Sequence, residues 1–73
     1  MMMKNWQHNI LHQLSETMDS LWRMDQYIKD AEEEGKTDEV EFWKEFKGTL
    51  ESQLRMLKER LEKIVKEEGL KID

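Results

Sequence analysis

Ala31-Glu-Glu-Glu-Gly-Lys-Thr-Asp-Glu-Val40 is the stretch on which the fold turns. Gly35 can adopt the left-handed conformation that closes a helix, where a Cβ would be penalised. Thr37 or Asp38 is placed to cap a second helix. Asp38 with Glu41 has the form of a capping box, and the acids at 38, 39 and 41 suit a helix N-terminus.

Outward from this break the two halves mirror each other. Ala31 matches Val40, Ile28 matches Trp43, Met24 matches Lys47, Leu21 matches Leu50 and Thr17 matches Leu54. Leu14 with Leu57, Ile10 with Leu61, Gln7 with Ile64 and Met3 with Glu68 continue the series, each pair of numbers adding to 71. Within each half these positions recur every seven residues in the a/d spacing of a helical seam. Strand alternation fits neither half. The pattern predicts an all-α, antiparallel two-helix hairpin, coiled-coil-like, as a single domain over residues 1–73. Helix one is expected over about 4–34, the turn at 35–37, helix two over about 38–68 and a short tail at 69–73.

Three layers carry a polar member: Thr17–Leu54, Met24–Lys47 and Gln7–Ile64. Lys47 is expected to pack its stem and extend its ammonium towards Asp25 or solvent.

Composition narrows the class. Seventy-three residues make one small domain at most, and 40% charged residues without proline suit long helices. The absence of cysteine excludes disulfides and thiolate metal sites. No signal peptide fits and no run approaches the ~20 apolar residues of a membrane span, so a soluble, cytoplasmic protein with no membrane partner is expected. Residues 32–46 hold seven acids against two lysines, matching the net charge of −5 of the whole chain. Acidity is therefore concentrated at the predicted turn, and the last 27 residues are almost balanced.

A two-helix seam leaves many large side chains unused: Trp6, Leu11, Met18, Trp22, Tyr27, Phe42, Phe46, Met56 and Val65. Exposing nine such groups forgoes on the order of 10–20 kcal/mol of burial, more than the typical net stability of a domain. Self-association resolves the deficit, since two hairpins make a four-helix bundle. The predicted function is thus a non-enzymatic structural or regulatory protein–protein interaction module acting as a homodimer. Its expected anchors are Trp22, Tyr27, Phe42 and Phe46, with Met18 and Leu11 beside them, because aromatic residues dominate desolvated interface centres. Leu11, Met18 and Trp22 fall on one flank of the seam, and Phe42, Phe46 and Met56 on the other.

Other chemistry is sparsely represented. His8, His12 and Glu16 are four residues apart on one helical face, which makes them candidate ligands for a divalent metal, although zinc wants three or four such groups. No cofactor is expected. Ser15 lies near His12 without a strained turn or a pocket, and the glycines are single, so neither a nucleophilic site nor a phosphate loop is predicted. Arg55, Lys58, Lys63 and Lys66 form a basic strip interleaved with glutamates. Glu59–Lys63 and Glu62–Lys66 have the favourable i,i+4 order of a salt-laced outer face. The alternative use of that strip is RNA binding, since paired hairpins of the Rop type, similar in architecture, bind RNA while acidic overall. The segment from Ala31 to Phe42 superficially looks like the helix–helix turn of rubrerythrin-type di-iron proteins. Their sites need Glu-x-x-His pairs in the core, and both histidines here precede every glutamate.

Overall fold

The computed structural model describes residues 4–69; Met1–Met3 and Leu70–Asp73, and with them Met3 of the last seam layer and most of the expected tail, lie outside the described residues. Two helices account for nearly all of it: α1, Asn5–Glu33, and α2, Thr37–Glu67. They pack antiparallel along their length, and no strand occurs among the described residues. The particle measures 51 × 21 × 12 Å with a radius of gyration of 16.3 Å. A compact chain of this length would have a radius near 11 Å. The molecule is a rod-like slab one helix thick.

The turn is built from backbone geometry. Gly35 has φ 67°. Its N–H donates to the Glu32 carbonyl at 3.1 Å, and the Lys36 N–H donates to the Ala31 carbonyl at 2.9 Å. This 5→2 plus 6→1 pair is a Schellman closure of α1. Lys36 then doubles as the N-cap of α2, its carbonyl accepting from Val40 N–H at 3.0 Å. That economy displaces the expected capping box. No side chain caps α2, because Thr37, Asp38 and Glu39 already occupy its first turn. The two acids act there through the helix dipole instead. At the other end Gly69, φ 70°, donates to the carbonyls of Ile64 and Val65.

Every described seam position, from Gln7 to Ala31 and from Val40 to Ile64, is buried or half-buried. Leu11, Ser20, Tyr27 and Gly69 are the other described residues that reach that state. Met24, Ala31, Val40, Leu50 and Ile64 are the buried apolar residues. Glu68, assigned to the open end of the seam, is instead exposed at the C-cap of α2.

The polar layers are satisfied in three ways. Gln7 is fully buried and its Nε2 donates to the Gly69 carbonyl at 3.0 Å, tying the start of α1 to the end of α2. Thr17 Oγ1 accepts from Gln13 Nε2 at 3.3 Å. Lys47 Nζ reaches Asp25 Oδ1 at 3.0 Å. No buried side-chain nitrogen or oxygen among the described residues lacks a partner. Buried polar groups so paired escape the desolvation cost that an orphaned one carries.

Candidate interaction surface

The two flanks of the seam differ in how their apolar residues are arranged. On one, Tyr27 of α1 meets Trp43 of α2 with ring centroids 5.0 Å apart. Phe42 lies against the edge of Trp43 at 5.0 Å, Phe46 is 5.8 Å from Trp43, and Phe42 and Phe46 are 6.0 Å apart. Tilted and edge-on contacts at these separations suit the aromatic quadrupole. The four rings form one continuous ridge near the turn. Phe42 is 50% and Phe46 39% exposed, so the ridge is packed from beneath and wet on top.

Below the ridge on the same flank, the helices part into a groove of ≈650 Å³. Ile10, Thr17 and Leu57 are its more buried lining residues; Met56, Arg60 and Lys63 are exposed along its rim. Met56 is 70% exposed although thioethers are usually core residues. A smaller concavity beside the turn, ≈520 Å³, lies between Tyr27, Ala31 and Trp43, with Lys36 and Glu39 at its edge.

The other flank holds Leu11, Met18 and Trp22. Leu11 is half-buried, Met18 is half-exposed and Trp22 is 82% exposed. Trp22 makes no ring contact with any described residue. This flank also carries the Lys47–Asp25 ion pair. The hydrogen bond to Asp25, and then its charge, raises the Lys47 pKa above the ordinary lysine value. The anchors named from the sequence therefore divide: Tyr27, Phe42 and Phe46 stand together, while Trp22 and Met18 stand apart. Trp43, assigned to the seam, is the hub of the ridge, contacting all three other rings. Its signal in the sequence was its position between Phe42 and Phe46 and opposite Tyr27.

The remaining candidates lie on exposed faces. His8 and His12 stack their rings 5.9 Å apart at 18°, and His12 Nε2 is 3.9 Å from Glu16 Oε1. Near-parallel rings do not aim their nitrogens at one point, and no described trio of His, Asp or Glu has a metal-holding arrangement. Arg55, Lys58, Lys63 and Lys66 are all exposed, spread round the outer face of α2 and onto both its sides. The expected Glu59–Lys63 and Glu62–Lys66 ion pairs are not formed; the described pairs within 4 Å are His12–Glu16 and Lys47–Asp25. Free side-chain rotamers outweigh a weak Coulomb gain in water.

No protein-family model, curated protein or solved structure matches the chain. No described helix is long and apolar enough to cross a membrane.

Proposed function

We propose that this hairpin is a non-enzymatic protein–protein interaction module that works as a homodimer, two copies packing their aromatic flanks together into a four-helix bundle. The observation that carries the reading is the ridge of Tyr27, Phe42, Trp43 and Phe46, continuous on one flank and wet on its outer side. A slab one helix thick has no second layer to cover that flank, and stable domains bury each apolar face against another layer. Phe42, Phe46 and Met56 are still 50%, 39% and 70% exposed, so covering them is worth roughly half of the 1.5–3 kcal/mol that full burial of each side chain brings. Contiguous apolar surface of this kind marks an interface where scattered exposed residues do not.

The cations of α2 fit this reading better than they fit RNA. Arg60 and Lys63 border the groove together with Glu59, and the outer-face cations alternate with glutamates such as Glu62 rather than forming an unbroken strip. Phosphate binding wants clustered, uncompensated cations.

Sedimentation equilibrium tests the proposal directly. The expected result is twice the chain mass at micromolar concentration, with dissociation on dilution. A single-chain mass throughout the micromolar range, with the helical circular dichroism signal intact, would overturn it.

A further inference from the structure

The aromatic flank carries both halves of a self-complementary joint. Its upper part is the convex ridge centred between Phe42 and Phe46; its lower part is the groove rimmed by Met56, Arg60 and Lys63. Ridge and groove share a flank but lie at different heights, with centres about 20 Å apart along α2 at 1.5 Å per residue. Two copies placed side by side in the same direction would set ridge against ridge and groove against groove. Turning one copy end over end sets each ridge into the other's groove.

We propose that the second copy docks in this inverted orientation, about a two-fold axis at the level of Ser20 and Glu51, so that each acidic turn lies beside the other copy's groove. The inference rests on the self-association proposed above and specifies its geometry. Midway between ridge and groove on α2 is the level of residue 51, and the mirrored numbering of the hairpin puts Ser20 of the aromatic flank at the same level. A two-fold axis there makes the α2 numbers of facing residues sum to 102. Met56 then lies level with Phe46 of the second copy, Arg60 with its Phe42 and Lys63 with its Glu39.

Three features support this alignment independently. The first is shape, since a Phe pair 6.0 Å apart meets an open groove that offers Ile10, Met56 and Leu57 between polar edges. The second is charge: the segment 32–46 carries the whole net charge of the chain, and inversion brings it alongside the cations of α2, where a same-direction dimer would stack acid on acid. Arg60 over the face of a partner phenyl ring has the further benefit of a cation–π contact. The third is the axis itself. Ser20 and Thr49 are small, and their oxygens are already bonded within their own helices, Thr49 Oγ1 to the Phe46 carbonyl at 2.7 Å and Ser20 Oγ from Arg23 Nη2 at 3.1 Å. Close approach there leaves both oxygens bonded, and the same sum sets Thr49 level with the exposed Gln53 of the second copy.

Charge reversal and a distance measurement test the geometry. Lys63→Glu and Glu39→Lys should each weaken dimerisation about tenfold, because each creates two symmetric like-charge contacts, and the double variant should recover to within about threefold of the parent. Because the chain lacks cysteine, Lys36→Cys gives one spin-label site per copy. Inversion separates the two labels by about 45 Å, the length of thirty helical residues. A dimer that ignores the single reversals, gains nothing from the double, or holds its labels within about 25 Å overturns the inverted geometry while leaving self-association intact. A protein monomeric at every concentration overturns both.

Discussion

The two flanks of this hairpin are made by the same pair of helices and each exposes large apolar side chains, yet on only one of them do these side chains form a continuous cluster. On the aromatic flank, spacings of three and four along α2 set Phe42, Trp43 and Phe46 side by side, and the antiparallel pairing brings Tyr27 to them from α1. On the other, Leu11, Met18 and Trp22 all come from α1, and across from them α2 offers the ammonium of Lys47 rather than a ring. Adjacency across the seam, not the count of exposed hydrophobes, separates a continuous apolar patch from scattered side chains. A charge pair at the middle of a flank also discourages a dry interface there, since burying it would cost more than the pair returns.

The sharpest way to break this comparison is to remove one aromatic from each flank. Phe46→Ser should weaken dimerisation roughly 10- to 100-fold, the equivalent of about 1.5–3 kcal/mol of lost burial. Trp22→Ser should change it by less than about twofold, despite deleting the larger side chain. Sedimentation equilibrium across a dilution series measures both. If the two variants weaken the dimer equally, the flanks are not functionally distinct.

A second prediction concerns the seam on which both flanks stand. Gln7→Ala removes the donor to the Gly69 carbonyl and leaves a gap at a fully buried position. Unfolding in urea should show a loss of about 1–2 kcal/mol, with amide exchange accelerating first at the open end rather than at the turn. A uniform acceleration would mean that the clasp is not local.

Much of this architecture was readable in advance, and the limits are instructive. The heptad spacing located the described seam positions from Gln7 to Ala31 and from Val40 to Ile64, missing only at Glu68 beyond the end of α2, because side-chain periodicity along a helix is a local property. The division into two flanks followed from the same spacing. What escaped were features that depend on where a chain end or a backbone group lies in space. Gln7 reads only as a polar member of its layer, because the carbonyl it bonds belongs to a residue 62 positions away. Asp38 and Glu41 matched a capping box, but the Schellman bonds at Lys36 started α2 one residue early. Trp43 passed as an ordinary seam residue, because its side chain is large enough to line the seam and still reach a flank. The self-complementary groove needs the positions of both helices at once.

Gly48 offers a smaller, stabilising contrast with the glycines that the fold requires. Gly35 and Gly69 have positive φ, whereas Gly48 lies within α2, and a Cβ added there meets nothing within 4 Å. Gly48→Ala should raise stability by about 0.5–1 kcal/mol in a urea titration. It lies away from the ring cluster, so the dimer dissociation constant should stay within about twofold of the parent. A large change in affinity would place this side of α2 in the interface.

The smallest expected effect belongs to the ion pair that marks the other flank. Asp25 raises the Lys47 pKa chiefly through their hydrogen bond, so the folded chain holds that proton more tightly than the unfolded chain does. The resulting stabilisation is fully present below the ordinary lysine pKa, constant through neutral pH, and lost as pH rises through the elevated folded-state value. Asp25→Asn abolishes the carboxylate and should flatten that part of the alkaline decline. Urea midpoints for parent and variant should therefore differ at neutral pH and converge as pH rises through the raised folded-state value, the difference isolating Lys47 because other alkaline-titrating groups are common to both. Measured above and below the dimer dissociation constant, the convergence should be the same, since a pair lying outside the interface titrates alike in one copy or two. A pH response that appeared only in the dimer would put Lys47 and Asp25 between copies and reverse the assignment of the flanks.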